Sequence, residues 1–150
     1  MTAMPDVLSS TQRSYCMSRI RGKDTNPERL IRTGLFAMGF RYRLHRRSLP
    51  GSPDLVLPKH RAVIFVHGCF WHKHGCELFR WPKTNAEFWR NKISKNSRND
   101  KQNLIRLGAE GWRVLTVWEC SLRGKRRMDQ TVLIGKIARW LRARKKRTEL

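Results

Sequence analysis

The stretch AVIFVHGCFWHKHGC, residues 62–76, decides the fold and holds most of the side chains that are capable of chemistry. Its first half, residues 62–66, is a short apolar and largely β-branched run, which predicts a buried strand. Its second half concentrates metal-ligand side chains, namely His67, Cys69, His72, His74 and Cys76. Thiolates and imidazoles bind metals, and imidazole also transfers protons near neutral pH. This density therefore indicates a functional site rather than core packing alone.

Two large aromatic residues, Phe70 and Trp71, stand among these ligands. Flat apolar side chains beside catalytic groups are suited to wedging between the bases of DNA. Packing into the core is the alternative interpretation. We expect the segment to leave the edge of a strand, fold around a structural zinc ion, and direct His72 and the two aromatics towards DNA.

The chain is strongly basic. Its 150 residues include 33 Lys and Arg against 11 Asp and Glu, which gives a net charge of +22. Such a charge repels itself without a polyanionic partner, so nucleic acid is the expected partner and a merely solvated basic surface is the alternative. The sequence contains no long apolar run, secretory signal or lipidation motif. We therefore expect no membrane partner, a cytoplasmic location on the nucleoid, and reduced cysteines rather than disulfides.

The length of the chain predicts one domain. We expect a basic arm at residues 1–22, a folded domain at 23–143 and a solvated basic tail at 144–150. Apolar periodicity and capping-box patterns predict helices and strands in mixed order. The expected helices cover 26–38, 84–108 (one helix or two with a bend) and about 129–143, and the expected strands cover 40–44, 55–57, 62–66 and 112–118.

Two carboxylates stand out. Asp54 opens a core strand, where burying its charge costs several kcal/mol unless something binds it. A divalent cation with a preference for oxygen ligands, such as Mg²⁺, is one partner, and a turn-capping role after Pro53 is equally compatible with the segment. Glu28 fits a helix-capping pattern with Thr25, although it can also reach a metal or a water in an active site.

A zinc site is predicted from cysteine and histidine spacing. Cys69, His74 and Cys76 form a C-x4-H-x-C pattern, and Cys120 follows a neighbouring strand. Three thiolates and one imidazole make a closed tetrahedral set, which is typical of structural zinc. The alternative is a group of reduced, buried cysteines.

His67 and His72 remain for catalysis. A lone histidine is more often a hydrogen-bonded structural residue, but these two lie near Asp54 if the strands at 55–57 and 62–66 pair. Asp100, reaching in from a helix, can fix the tautomer of His72. A metal-bound phosphate and a histidine-activated water would together hydrolyse a phosphodiester.

These motifs resemble those of the very short patch repair (Vsr) DNA mismatch endonucleases. The resemblance covers roughly residues 10–125, and its HGCFWH block is highly specific. The matching segments are DTNPE at 24–28, LPGSPD at 49–54, VIFVHGCFWHKHGC at 63–76, EFWRNKISKN at 87–96 and GWRVLTVWEC at 111–120.

The resemblance implies a fold of the type II restriction-endonuclease class, a mixed central β-sheet flanked by helices, here with a structural zinc site. It implies that Asp54 binds Mg²⁺ with help from the main-chain carbonyl of Val66. Many relatives have Thr at that position, so a carbonyl ligand is retained while any hydroxyl role is lost. It also implies roles for the other groups: His72 as general base oriented by Asp100, His67 and Glu28 as further active-site groups, and Cys69, His74, Cys76 and Cys120 as zinc ligands.

By the same resemblance, Phe70, Trp71 and Trp89 open the duplex beside a T·G mismatch. The expected reaction is a Mg²⁺-dependent nick 5′ to the mismatched thymine, which arises from deaminated 5-methylcytosine. This links the protein functionally to a cytosine-5 DNA methyltransferase, a DNA polymerase and a ligase, and we expect a monomer. Two alternatives stay open, a general restriction-type nuclease and a zinc-stabilised DNA-binding module without catalysis.

Overall fold

The computed structural model describes residues 26–76, 79–143, 145 and 147–150. The predicted basic arm and the cap residue Thr25 lie outside these residues. The described part contains three α-helices and five strands. They are α1 (Asn26–Ala37), β1 (Arg43–Leu44), β2 (Leu55–Leu57), β3 (Ala62–His67), α2 (Ala86–Ala109), β4 (Arg113–Trp118), α3 (Gln130–Arg142) and β5 (Arg147–Glu149), with short 3₁₀ turns at Pro58–His60 and Glu119–Ser121.

The strands form one mixed sheet in the order β1-β2-β3-β4-β5. The first three strands pair antiparallel, with residues 45–54 connecting β1 to β2 and residues 58–61 connecting β2 to β3. The last three pair parallel, and each parallel pair is joined across a helix, as parallel pairing requires. The mixed α/β architecture predicted from the sequence is therefore confirmed.

Strand β3 lies at the centre of the sheet and separates two cores. Alternate side chains of a strand point to opposite faces, and Ile64 belongs to the core on one face whereas Val63 and Phe65 belong to the core on the other. Helices α1 and α3 cover the first face, and the last turn of α2 covers the second through Leu107. The end of β3 therefore emerges between two helical layers, next to the loop that carries the cysteines and histidines.

Helix α2 differs in detail from the prediction. It is one continuous helix, and its N-cap is Asn85, which has φ 53° and makes no side-chain capping bond. The capping box expected from Thr84 and Glu87 is therefore not formed at this end.

Apolar spacing also predicts that Ile105 and Val132 face the core, but they are 68% and 50% exposed because the sheet is already covered by their neighbours.

The C-terminal segment also differs from the prediction. Residues 147–149 form β5 and pair with β4, rather than continuing as a solvated tail. The amide of Leu150 donates to Thr116, and the amide of Trp118 donates to Leu150. The reason is that the edge of β4 has main-chain groups to satisfy, and a polar segment can pair with them whatever its side chains are.

In the part of the chain that the structure describes, no helix has the length and apolar character needed to cross a membrane.

Candidate active site and metal centre

A first cluster forms where β2 begins beside the end of β3. Oδ2 of Asp54 accepts the amide N–H of Val66 at 2.7 Å. Glu28, from the first turn of α1, is 3% exposed and lies beside it. The imidazole of His45 completes the cluster, with Nε2 3.4 Å from Glu28 Oε2 and Nδ1 3.8 Å from Asp54 Oδ1. The structure thus brings both predicted carboxylates together and adds a histidine.

The surroundings of the Asp54 carboxyl disfavour its charged form. Its pKa is raised to about 7, chiefly by burial and further by the nearby Glu28, while the hydrogen bond from Val66 opposes the shift. Two carboxyl groups this close favour sharing a proton or a cation over bearing two free charges. One ligand atom from each of Glu28, His45 and Asp54 can be chosen so that all lie within 4.8 Å of one another, a spacing compatible with one metal ion.

His45 was not predicted from the sequence, because the register of β1 on β2 was not predicted either. Strands β1 and β2 pair with Leu44 opposite Leu55, so the next position places His45 beside Asp54. The amide of His45 indeed donates to the carbonyl of Asp54 at 3.2 Å. The contact between His45 and Asp54 therefore follows from the pairing of β1 with β2 that the structure shows.

A second cluster contains the two histidines expected to act in catalysis. Nδ1 of His72 lies 2.5 Å from Oδ2 of Asp100, the contact expected between the loop and α2. The ring of His67 stacks on the ring of His72, with centroids 3.8 Å apart and planes 5° from parallel. Burial and the neighbouring His72 lower the pKa of His67 to about 3, so His67 is neutral at physiological pH. Its Nδ1 is buried and makes no hydrogen bond to the described residues.

The two clusters meet at consecutive residues of β3. Val66 bonds to Asp54 through its amide, and the next residue, His67, stacks on His72. A cavity of about 180 Å³ opens beside the second cluster, and Lys73 and Lys101 contribute positive charge to its lining. A phosphate entering this region would therefore meet carboxylates, imidazoles and ammonium groups within one short stretch of the molecule.

Three aromatic side chains gather on the same side of the loop. The ring centroids of Phe70, Trp71 and Trp89 are 5.2 to 5.7 Å apart. All three are half-buried rather than enclosed. Asn96 donates to the carbonyl of Trp71 at 3.0 Å and so ties the loop to α2. Trp89, which its helical spacing with Ile93 could have assigned to the core, instead belongs to this partly exposed cluster.

The four predicted zinc ligands also come together. Nδ1 of His74 lies 3.6 Å from the Cys69 sulfur and 3.5 Å from the Cys120 sulfur, and Cys76 completes a group within 4.8 Å. A tetrahedral zinc ion with bonds of about 2.1 to 2.3 Å needs ligand atoms roughly 3.5 to 3.8 Å apart. All three cysteines are free thiols. Burial raises the pKa of Cys69 and of Cys120, which a bound cation would offset by stabilising the thiolates.

A column of stacked rings joins this group to the second cluster. The indole of Trp118 stacks on His74 with centroids 4.1 Å apart and planes 6° from parallel. The same indole meets His67 edge-on at 5.3 Å, and His67 stacks on His72. The cysteine and histidine group and the candidate catalytic histidines are therefore packed against one another through Trp118.

Comparisons with known proteins show which family the chain resembles. The sequence model of a family described as "DNA mismatch endonuclease Vsr" matches residues 5–78. The chain is 49% identical over 119 residues to the type II nicking enzyme V.XorIIP of Xanthomonas oryzae pv. oryzae, covering 79% of this chain and 88% of that protein. It is 44% identical over 138 residues to the DNA mismatch endonuclease Vsr of Escherichia coli strain K12, covering 92% of this chain and 88% of that one.

A third relative, the type II nicking enzyme V.NmeAIP of Neisseria meningitidis, is 44% identical over 122 residues, which cover 81% of this chain and 87% of the relative. The family match spans Glu28, His45, Asp54 and the loop after β3. The chain therefore belongs to the Vsr family of DNA mismatch endonucleases.

Proposed function

We propose that this protein is a Mg²⁺-dependent DNA endonuclease that nicks one strand of a duplex 5′ to the thymine of a T·G mismatch. Family membership supports an endonuclease, and the geometry of the two clusters supports hydrolysis of a phosphodiester. The mixed sheet with helices on both faces agrees with the restriction-endonuclease class that the family implies.

The observation that carries the proposal is the placement of two kinds of chemistry at the end of β3. Asp54 contacts the main chain of Val66, and His67 stacks on the histidine that is bonded to Asp100. A carboxylate site for a cation and an imidazole for a water proton can therefore act on the same phosphate. A DNA-binding module without catalysis has no need for this juxtaposition.

Asp54 and Glu28 are the residues that would hold the cation, together with the carbonyl of Val66. Their donor set fits a hard divalent ion because carboxylate and carbonyl oxygens are the ligands that Mg²⁺ prefers. A cation bound there would polarise a phosphoryl oxygen and stabilise the charge that develops during hydrolysis. The raised pKa of Asp54 supports this assignment, since the site gains from an added positive charge.

His72 is the proposed general base. When Nδ1 of His72 donates its proton to Asp100, Nε2 is left as the acceptor that can take a proton from water. Neutral His67 packs flat against His72 and fixes the plane of its ring. The proton of the attacking water would thus pass to His72, while Asp100 stabilises the imidazolium that results.

The aromatic cluster is the proposed wedge. The rings of Phe70, Trp71 and Trp89 are partly exposed and contact one another. They can therefore exchange these contacts for stacking on bases without disrupting the hydrophobic core. Unstacking two neighbouring base pairs costs on the order of a few kcal/mol, and the cost is least at a mismatched step. Insertion therefore favours a wobble pair over a Watson–Crick pair.

The charge of the molecule supports contact with the phosphate backbone. Exposed basic residues line α2 beside the wedge, namely Arg90, Lys95, Arg98 and Lys101. Contacts of this kind position the protein without specifying sequence.

We further propose that a structural Zn²⁺ occupies the Cys69, His74, Cys76 and Cys120 group. We also propose that the protein acts as a monomer, and that a polymerase and a ligase process its nick at sites of cytosine-5 methylation.

Cleavage of matched duplexes tests the proposal. Three duplexes that differ only in one T·G, T·A or C·G pair are incubated with the protein, with and without Mg²⁺. We expect a single-strand nick in the T·G duplex that requires Mg²⁺, and none in the others. Equal cleavage of all three would instead indicate a general nuclease.

A substitution separates catalysis from binding. Asp54→Ala should abolish nicking while retaining affinity for the T·G duplex in a gel-shift assay. Nicking that persists in this variant would remove Asp54 from the reaction. Binding by the unsubstituted protein without any cleavage would favour the non-catalytic module.

A further inference from the structure

We infer that His45 is a direct ligand of the divalent cation at the Asp54 site, and that it makes this site a mixed nitrogen and oxygen site that prefers first-row transition cations such as Co²⁺ to Mg²⁺. The inference rests on the proposed function, because it assumes a cation between Glu28 and Asp54. It adds a ligand and a metal preference that oxygen donors alone do not provide.

The geometry places the imidazole of His45 between the two carboxylates. Nε2 lies 3.4 Å from Glu28 Oε2, and Nδ1 lies 3.8 Å from Asp54 Oδ1. Ligand atoms around one cation with bonds of about 2.1 Å are roughly 3 to 3.5 Å apart. The group is therefore close to the spacing that a shared cation imposes, and one nitrogen can enter the coordination shell through a small rotation of the ring.

The backbone holds His45 in place for this role. Its amide donates to the carbonyl of Asp54 at 3.2 Å, as a continuation of the pairing between β1 and β2. Its φ of 48° lies in the left-handed region, which turns the chain at this residue. The side chain is partly buried against the cluster, with 19% of its surface exposed, rather than extended into solvent.

The chemical consequence is a change in metal preference. Mg²⁺ prefers oxygen ligands and loses its waters reluctantly, so an added imidazole contributes little to its binding. Cations such as Co²⁺ bind imidazole well, and affinity for a given nitrogen-containing site rises along the series from Mn²⁺ to Cu²⁺. His45 should therefore strengthen Co²⁺ binding while leaving Mg²⁺ binding nearly unchanged.

Binding of Co²⁺ to the full chain, loaded with zinc and free of DNA, tests the inference by calorimetry. The comparison uses the unsubstituted protein, His45→Ala, His45→Gln and the matched control His60→Ala. His60 lies in the 3₁₀ turn after β2, and its ring packs against Phe40. We expect His45→Ala to weaken Co²⁺ binding by about tenfold or more. Mg²⁺ affinity should change by less than about threefold, and His60→Ala should leave both unchanged.

Proton NMR supplies a second readout that reports coordination itself. Bound high-spin Co²⁺ shifts the exchangeable N–H proton of a coordinated imidazole far outside the normal range. This resonance should appear in the unsubstituted protein and in His60→Ala, and should be missing from His45→Ala and His45→Gln. Circular dichroism of each variant confirms that the fold is retained, and His45→Gln keeps most of the side-chain volume if His45→Ala is unstable.

The outcomes distinguish this inference from the proposed function. Asp54→Asn should lose Co²⁺ and Mg²⁺ together, and retention of both would contradict the proposed cation site. If Asp54→Asn loses both ions but His45→Ala binds Co²⁺ like the unsubstituted protein, the role of His45 is overturned while the proposed function stands. A shifted imidazole resonance that persists in His45→Ala and disappears in His67→Ala would likewise overturn it.

Discussion

Nδ1 of His72 lies 2.5 Å from Oδ2 of Asp100, although one residue is in the loop after β3 and the other is in the middle of α2. The two are 28 positions apart in the chain. Asn96, one turn earlier on the same helix, holds the loop through the carbonyl of Trp71. Helix α2 therefore fixes both the orientation of His72 and the position of the aromatic wedge.

Asp100→Asn should lower kcat for nicking of the T·G duplex by about 100-fold or more, because an amide does not enforce the same tautomer of His72 or stabilise its charged form. The KM for DNA should change little, because Asp100 is not one of the exposed basic residues of α2. Steady-state nicking rates over a range of duplex concentrations measure both kcat and KM. Glu110→Gln, at the exposed end of the same helix, should leave both unchanged, and a normal cleavage rate in Asp100→Asn would contradict the role of this pair.

Phe70→Ala combined with Trp71→Ala should reduce the preference for T·G over T·A duplexes by about tenfold or more, since a tenfold ratio corresponds to only about 1.4 kcal/mol. The wedge would no longer contribute the energy that separates mismatched from paired steps. Competitive cleavage of the two duplexes measures the ratio. Phe36→Ala removes an exposed aromatic from the end of α1 and should preserve the ratio, whereas an unchanged ratio in the double variant would favour a general nuclease.

Elemental analysis should find near one equivalent of zinc per chain. Cys120→Ser should lose that zinc and lower the midpoint of thermal unfolding, because Cys120 anchors the loop to the end of β4. Cys16→Ser is the matched control, since Cys16 has no predicted ligand role, and it should retain the metal. Absence of zinc from the unsubstituted protein would leave only a group of packed cysteines.

Asp54→Asn should stabilise the protein at pH 7.5 when no divalent cation other than zinc is present. The folded-state pKa of Asp54 is about 7, against 3.8 for the free side chain. The folded protein therefore holds a proton that the unfolded chain has released between those values, and the unfolding free energy falls as pH rises through that window. Because an amide does not ionise, the Asp54→Asn variant keeps its unfolding free energy through this pH window.

Thermal unfolding at pH 4.5, 6 and 7.5 measures the difference in unfolding free energy between Asp54→Asn and the unsubstituted protein. This difference should grow with pH and reach on the order of a few kcal/mol. It should shrink when Mg²⁺ is added. Glu110→Gln should show no such trend. A difference that is independent of pH would mean that Asp54 is ionised throughout the range.

Much of the fold follows from local patterns. The apolar runs of β2, β3 and β4 and the periodicity of the helices are visible in the sequence because burial selects these side chains directly. Strand β5 has no such signal, since the polar residues Arg147, Thr148 and Glu149 join the sheet through main-chain bonds at the edge of β4. Its formation depends on tertiary structure, which a local pattern does not contain.

The candidate site, like the fold, was predicted only in part from the sequence. The cysteine and histidine spacing predicted the group at Cys69, and the analogy with an aspartate that orients a catalytic histidine predicted the contact between Asp100 and His72. His45 was missed because its place depends on the exact register of β1 on β2. The family resemblance did not supply it either, since His45 lies between the quoted motifs at 24–28 and 49–54.

A column of stacked rings runs from His74 through Trp118 and His67 to His72. The proposed general base therefore rests on an indole that is itself stacked on a member of the cysteine and histidine group. A change that displaces this group would be passed through these rings to His72, so we expect damage to the proposed zinc site to weaken nicking as well as stability.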